Sequence, residues 1–338
     1  MISSTHIDRF NGFKAYIKTT HNQYGKYWTK EGPTFDIELT QDGYINKGER
    51  NYLPSAFNNQ SNTEDINDYQ SPFGKDTSKE KKFLSLGGVN FCTPVNSGND
   101  TLRYAKYYDE IIEDQINVIP GSSILEIGAG SGIFSALMQD RFSSKNIIID
   151  IPYTLQNSIA LFMTIYPEKT FILPNEISDK TNIYDYDLIF LTPDQKELIK
   201  DSSVGLAINT QSFMEMDYKE VVDYFSFVNR IVVNGGYFFI SNRMRKVTNF
   251  FNFPFDLLIK YKRIFMARNN VFLKHNRMST LIDCLLVKDE TQKSSKVFNF
   301  IHKSYLNLFL MTNEERYGWI RSDLIKILRK IGFNIKKI

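Results

Sequence analysis

The run Glu126-Ile127-Gly128-Ala129-Gly130-Ser131-Gly132 places three glycines at alternate positions. Glycine tolerates backbone conformations closed to other residues and lets the main chain approach a ligand closely. Ser123–Ile127 before it reads as a short buried strand, and Ile133, Phe134, Leu137 and Met138 after it mark one face of a helix. A glycine turn between a strand and a helix presents backbone N–H groups to a bound molecule. Asp150 lies 20 residues beyond Gly130, at the end of the next strand, Asn146–Asp150. A carboxylate at that point can accept the hydrogens of both ribose hydroxyls. A dinucleotide fingerprint, G-x-G-x-x-G/A, would need Gly or Ala at position 133, which is Ile.

A second group of polar residues follows the strand read at Val204–Asn209, in Asn209-Thr210-Gln211-Ser212-Phe213-Met214-Glu215-Met216. In an open parallel sheet, ligands bind beyond the carboxyl ends of the strands, so Asn209, Gln211 and Ser212 are expected at the reaction site. Glu215 is the first candidate for a general base and His275 the second. The competing role for Glu215 is structural, bonded to backbone or to Arg243. Asp217 and Glu220 have the spacing of a capping box that opens the next helix. Asn242 and Arg243 end the strand read from Tyr237 and border the same region, where Arg243 could hold a phosphate or carboxylate through two parallel hydrogen bonds.

These groups need a scaffold, and the chain alternates strand and helix from residue 100 onward. Asp100 is expected to cap a helix bearing Leu102, Ala105, Ile111, Ile112 and Ile116. Pro152 opens the helix of Leu155, Ile159 and Phe162. Thr170–Leu173 and Asp187–Leu191 both qualify as the third central strand. Val221, Phe225, Val228 and Val232 line a helix stopped by Asn234-Gly235-Gly236, and Met278–Val287 reads as one further strand. Such alternation implies an α/β fold with a mostly parallel, doubly wound sheet.

Residues 1–99 are read as an N-terminal extension that could contribute to ligand binding, with a polar loop or lid at about 58–82. Residues 100–290 form the Rossmann-like domain, and 291–338 a basic helical C-terminal extension. The net charge of +3 conceals an asymmetry: residues 1–240 carry 21 basic against 31 acidic residues, and 241–338 carry 20 against 7. A basic final third suits an anionic partner. The two cysteines, Cys92 and Cys284, have no metal-site spacing with the four histidines, which favours a reducing cytoplasm. No apolar run reaches the roughly 18 residues of a membrane span.

The pattern E-x-G-x-G-x-G resembles motif I of class I S-adenosylmethionine-dependent methyltransferases. The strings LEIGAGSG, Asp150-Ile151-Pro152, IFLTP at 189–193, INTQSFMEMD at 208–217 and YFFISNR at 237–243 resemble, more narrowly, the bacterial sugar O-methyltransferase family. The likeness covers roughly residues 100–250. It implies a Rossmann-like methyltransferase fold and S-adenosylmethionine as cofactor. It also implies cofactor contacts from Glu126, Gly128, Ala129, Gly130, Gly132, Asp150, Ile151 and Asn209, with the loop against the methionine part and Asp150 on the ribose. The acceptor it implies is a sugar hydroxyl, in a nucleotide sugar or other anionic glycan of surface-glycan biosynthesis, met by Gln211, Ser212, Asn242 and Arg243. Activation of the hydroxyl falls to a base or to a divalent metal. The absence of the N/D-P-P-Y/F string of nucleic-acid amino-methyltransferases weighs against a nucleic-acid substrate. Another small-molecule acceptor, RNA, and a non-catalytic binding module remain as rival readings.

Overall fold

The computed structural model describes residues 1–20, 36–48, 55–58, 89–92, 115–244, 246–268 and 281–291. The expected helix from Asp100, the loop at 58–82, His275 and the extension from 292 lie outside the described residues, in whole or nearly so.

The central sheet is built in the order the alternation implies. Strand β5 (Ser123–Ile127) is followed by α2 (Ile133–Phe142), β6 (Asn146–Ile149) and α3 (Pro152–Ile165), with Pro152 in the first turn of α3. Then come β7 (Phe171–Ile172), β8 (Leu188–Leu191), β9 (Val204–Thr210), α4 (Tyr218–Ile231) and β10 (Val232–Arg243). Two last strands, β11 (Tyr261–Arg268) and β12 (Leu281–Lys288), complete eight strands in the order β11-β12-β10-β9-β5-β6-β8-β7. Pairing is parallel from β7 through β10, whereas β12 runs antiparallel to both β10 and β11. The architecture is therefore Rossmann-like, a mostly parallel sheet between helical layers. The third central strand is β8, which pairs with β6, while β7 is the outer edge.

The hydrophobic faces explain the layering. One core cluster joins Ile124, Leu206, Ile208 and Phe239 of the sheet to Phe134 and Leu137 of α2 and to Leu155, Ile159 and Phe162 of α3. The other joins Leu125, Ile127, Ala207, Phe238 and Ile240 to Val221, Phe225 and Val228 of α4. Alternate residues of each strand thus serve opposite faces, and β5 and β9 are buried along their whole length. Helix α4 opens on the capping box read from the sequence, with the Asp217 N–H donating to Glu220 at 3.1 Å. Its far end is closed from another element: the Lys288 ammonium donates to the carbonyls of Asn229 (2.8 Å) and Val232 (2.7 Å).

The N-terminal region joins the first of these cores. Helix α1 (Ser4–Thr20) buries Phe10, Phe13 and Ile17 at i, i+3 and i+7 against α3. Strands β1 (Ile37–Thr40) and β2 (Gly43–Asn46) add Ile37, Leu39 and Tyr44. They belong to a second, antiparallel sheet with β3 (Ser55–Asn58) and β4 (Val89–Cys92). Arg9 fixes the angle of α1: its guanidinium grips Glu176 through two hydrogen bonds of 2.6 Å and also donates to the Phe171 carbonyl at 2.9 Å. Among the described residues no helix is long and apolar enough to cross a membrane.

Arg9→Met keeps the aliphatic packing but removes the guanidinium donor from the Phe171 carbonyl and from the Glu176 carboxylate, which among the described residues keeps only the Leu173 N–H. The expected loss is about 1–3 kcal/mol, the range for hydrogen bonds to charged groups, read as a lower urea midpoint at unchanged slope; an unchanged midpoint would show that α1 is held by its apolar face alone.

Candidate functional site

Beyond the carboxyl end of β5 the chain turns three times through the left-handed region. Gly128, Gly130 and Gly132 have φ of 70°, 60° and 77°, a region costing other residues about 1–2 kcal/mol each. The three glycines serve different ends. A Cβ at Gly128 would lie 2.0 Å from the Ser212 hydroxyl oxygen, and one at Gly132 would lie 2.9 Å from Ser158 Cβ on α3. Those two make room for protein. A Cβ at Gly130 would meet nothing within 4 Å, so that glycine faces open space. The turn is closed internally by the Gly132 N–H on the Ala129 carbonyl at 3.0 Å, and Ala129 itself is buried.

Asp150 reaches this turn from the end of β6. One carboxylate oxygen accepts the Gly130 N–H at 2.8 Å, and the other accepts the Ile151 N–H at 2.7 Å. Burial pushes the carboxyl up to about 7; the two backbone N–H groups pull the other way, and the charge of Glu215 adds to the rise. Glu215 belongs to the short turn that begins at Ser212, the residue packed on Gly128. An ionised carboxylate offers about four acceptor directions, so two hydrogen bonds to backbone leave capacity for hydroxyl donors.

Glu126 serves the site from beneath. It is buried, and one of its oxygens accepts the Ser135 N–H at 3.0 Å and the Ser135 hydroxyl at 2.6 Å. Ser135 is the third residue of α2, whose own N-cap, Gly132, has no side chain to offer. The strand glutamate therefore caps the helix that the glycine turn enters.

The segment after β9 folds back over the glycine turn. Phe213 is fully buried and packs its ring against Phe225, Phe238 and Phe253 at centroid distances of 5.6, 6.3 and 6.0 Å. Asn209 is likewise buried: its amide donates to the Ile127 carbonyl at 2.9 Å, and its oxygen accepts from the Phe213 N–H (3.2 Å) and from Asn242 (2.8 Å). Asn242, also buried, accepts the Met214 N–H at 3.0 Å. Both asparagines thus knot the ends of β5, β9 and β10 to one turn, and their hydrogen bonds run to protein rather than into the cleft. Between these anchors Gln211 takes the left-handed conformation, φ 58°, with its N–H on the Ser241 carbonyl at 2.7 Å. Its Nε2 is buried and has no hydrogen-bond partner among the described residues.

Glu215 ends the turn with its side chain 15% exposed and paired with Lys246, not with Arg243. Arg243 ends β10, half-buried, with its backbone N–H on the Met214 sulfur at 3.3 Å. The structure therefore brings together Gly128, Gly130, Asp150, Ser212 and Glu215, and ties Glu126, Asn209 and Asn242 in behind them. Lys246 was not singled out in the sequence; its only signal there is the basic cluster Arg243, Arg245, Lys246 just past a strand end. Among the described residues no group of three or more His, Cys, Asp or Glu is arranged to hold a metal ion.

No protein-family model matches the chain, and no curated protein sequence matches it. Solved structures similar to it include a geranyl diphosphate C-methyltransferase from Streptomyces coelicolor A3(2), in complex with Mg2+, geranyl diphosphate and S-adenosyl-L-homocysteine (9% identity over 56% of this chain and 79% of that one, TM-score 0.40). A geranyl diphosphate methyltransferase in complex with SAM is similar at 11% identity, over 58% of this chain and 91% of that one, TM-score 0.38. The PH0226 protein from Pyrococcus horikoshii OT3 is similar at 12% identity, over 58% and 94%, TM-score 0.42.

Two predictions follow from the glycines and the carboxyl. Gly130→Ala is expected to fold at a cost of about 1–2 kcal/mol from strain alone, whereas Gly128→Ala must also displace Ser212 and is expected to lose roughly 1–3 kcal/mol more. Equal losses in urea titrations would contradict the different roles. For Asp150, the folded protein holds a proton that the unfolded chain releases near 3.9. Stability from this group is therefore complete below about 3.9 and is lost as pH rises through about 7. Unfolding free energies of wild type and Asp150→Asn between pH 5 and 8 should differ by that slope, present in wild type and missing in the variant.

Proposed function

We propose that the chain is an S-adenosylmethionine-dependent O-methyltransferase whose acceptor is a sugar hydroxyl carried on an anionic molecule. The observation that carries the cofactor half is the joining of Asp150 to Gly130, the one glycine of the turn with open space before it. Asp150 retains acceptor capacity for two ribose hydroxyls, and Gly130 allows the backbone close to the ligand. Ile133 argues against a dinucleotide: it is buried in the core at the position where that fingerprint needs Gly or Ala. In this reading Gly128, Ala129, Gly130, Gly132 and Ile151 shape the cofactor surface, while Glu126 and Asn209 hold it in place from behind.

Bound there, the cofactor supplies an electrophilic methyl group on a sulfonium, whose sulfur keeps the bonding electron pair when the methyl leaves. The protein's tasks are to align an acceptor oxygen with that methyl, exclude water and take the hydroxyl proton. We assign the proton to the Glu215 carboxylate, whose other oxygen is engaged by Lys246. A positioned base contributes about 10²–10⁴-fold. Gln211, left-handed just past β9 and with a buried Nε2 that has no hydrogen-bond partner among the described residues, is assigned to the acceptor with Ser212, and Asn242 supports their turn. Arg243 and the basic final third suit a phosphate or carboxylate on the acceptor. The sugar and the surface-glycan setting follow from the sequence resemblance, and the cytoplasmic location from the reading of the two cysteines.

The test is transfer of labelled methyl from S-adenosylmethionine to nucleotide sugars, glycan extracts and RNA, with products mapped by mass spectrometry. Label on a sugar hydroxyl is expected; label on RNA alone would overturn the acceptor assignment. Glu215→Gln should bind cofactor and lose about 10²-fold or more in turnover, and a chelator should leave the wild type unaffected. Near-normal turnover of that variant removes Glu215 from the chemistry, and inhibition by the chelator replaces the direct base with a metal.

A further inference from the structure

We infer that Lys246 receives the carboxylate at the amino-acid end of the cofactor, an inference that rests on reading the site as one for S-adenosylmethionine.

The placement comes first. Lys246 lies three residues past β10 and pairs with Glu215; the two side chains are 24% and 15% exposed, so the pair is mostly withdrawn from open solvent. The backbone around it is stitched to the turn below: the N–H groups of Val247 and Thr248 donate to the Met214 carbonyl at 3.0 and 3.3 Å, and the Thr248 hydroxyl donates to the Met216 carbonyl at 2.7 Å. The same turn touches the glycine turn, where Ser212 occupies the space a Cβ on Gly128 would need. Gly130, two residues beyond Gly128 in that glycine turn, donates its N–H to Asp150 at 2.8 Å.

The charges then select the ligand group. The cofactor carries a positive sulfonium, a positive ammonium and a negative carboxylate. With the ribose on Asp150, an amino-acid end directed to the 212–215 turn, which packs on the glycine turn through Ser212, would meet Glu215 and Lys246. Asp150 and Glu215 suit the two positive groups and repel the carboxylate. A cation is needed beside Glu215, and Lys246 is there. An ammonium has three donors, so pairing with Glu215 does not by itself exclude a contact to a ligand oxygen. Bridging in this way also keeps Glu215 aimed while its other oxygen takes the acceptor proton. Nothing in the glycine turn supplies this charge, because its N–H groups and the helix end behind them carry only partial charge and α2 is already capped by Glu126.

The anion could also be a phosphate of the acceptor, and the experiment separates the two. Calorimetry on the full chain would compare S-adenosylhomocysteine, which has the amino-acid end, with 5′-methylthioadenosine, which lacks it, and with inorganic phosphate. Lys246→Met should weaken S-adenosylhomocysteine binding about 10- to 100-fold, the range for one charge-assisted hydrogen bond, and leave 5′-methylthioadenosine within about twofold. Lys246→Arg should retain most of the affinity, which guards against a folding defect. Equal weakening of both nucleosides, or no change for either, overturns the assignment while the cofactor reading stands. Phosphate binding that vanishes in Lys246→Met with S-adenosylhomocysteine unchanged moves Lys246 to the acceptor. A wild type that binds neither nucleoside overturns the cofactor reading itself.

Discussion

The site depends on one hydrogen bond between neighbouring strand ends, from the Gly130 N–H to the Asp150 carboxylate. The glycine turn has no regular secondary structure of its own, and three left-handed residues within five positions would otherwise leave it with many accessible shapes. Asp150 selects one of them. Removal from water strengthens the contact; the same desolvation raises the proton affinity of the carboxyl, and the hydrogen bond from Gly130 works against that rise. One residue thus holds the turn closed and remains able to accept from a ligand.

The surrounding structure makes that contact repeatable. Strands β5 and β6 are adjacent and parallel, with Ile127 opposite Ile149, so their ends lie side by side. Ser158 on α3 donates to the Gly130 carbonyl at 3.0 Å, which fixes the following peptide group of the same residue. Helix α3 is in turn held by α1 and by β1, where the Ile37 N–H donates to Gln156 at 3.3 Å. The N-terminal elements therefore brace the helix that braces the loop. On the opposite side of the sheet, Phe213 and the two asparagines do the same for the turn carrying Glu215. Glu215 and Lys246 are each placed by backbone bonds of short segments, and their pairing joins those segments at the mouth of the cleft.

Much of the central sheet was legible because buried parallel strands and amphipathic helices carry strong periodic signals. The segments at 123–127, 146–149, 204–210 and 218–231 stand out for that reason. Elements held by other means were harder to read. Helix α1 sets Ile7, Phe10, Phe13, Tyr16 and Ile17 among mostly polar residues, and β11 interleaves Lys262, Arg263 and Arg268 with its apolar residues. The four-residue strands of the N-terminal sheet give almost no pattern. In the site, spacing located the glycine turn, Asp150 and the segment after β9. It did not say which way each side chain turns. Asn209 and Asn242 lie on the α4 face of the sheet, where alternation sends them away from the cleft, and Glu126 lies on the face that α2 covers. Side-chain direction at a strand end depends on register across the sheet, which is a tertiary property. The Lys246 pairing is a contact between segments 31 residues apart, beyond what local pattern records.

The account rests on a nucleoside bound at Asp150 beside Gly130. The most direct measurement is calorimetry of the full chain, wild type and Asp150→Ala, titrated with S-adenosylhomocysteine and separately with NAD at a pH above 7. The expected result is saturable binding of S-adenosylhomocysteine to the wild type, its loss in the variant, and no comparable binding of NAD. Tight binding of NAD with none of S-adenosylhomocysteine, or undiminished binding of S-adenosylhomocysteine by Asp150→Ala, would contradict it.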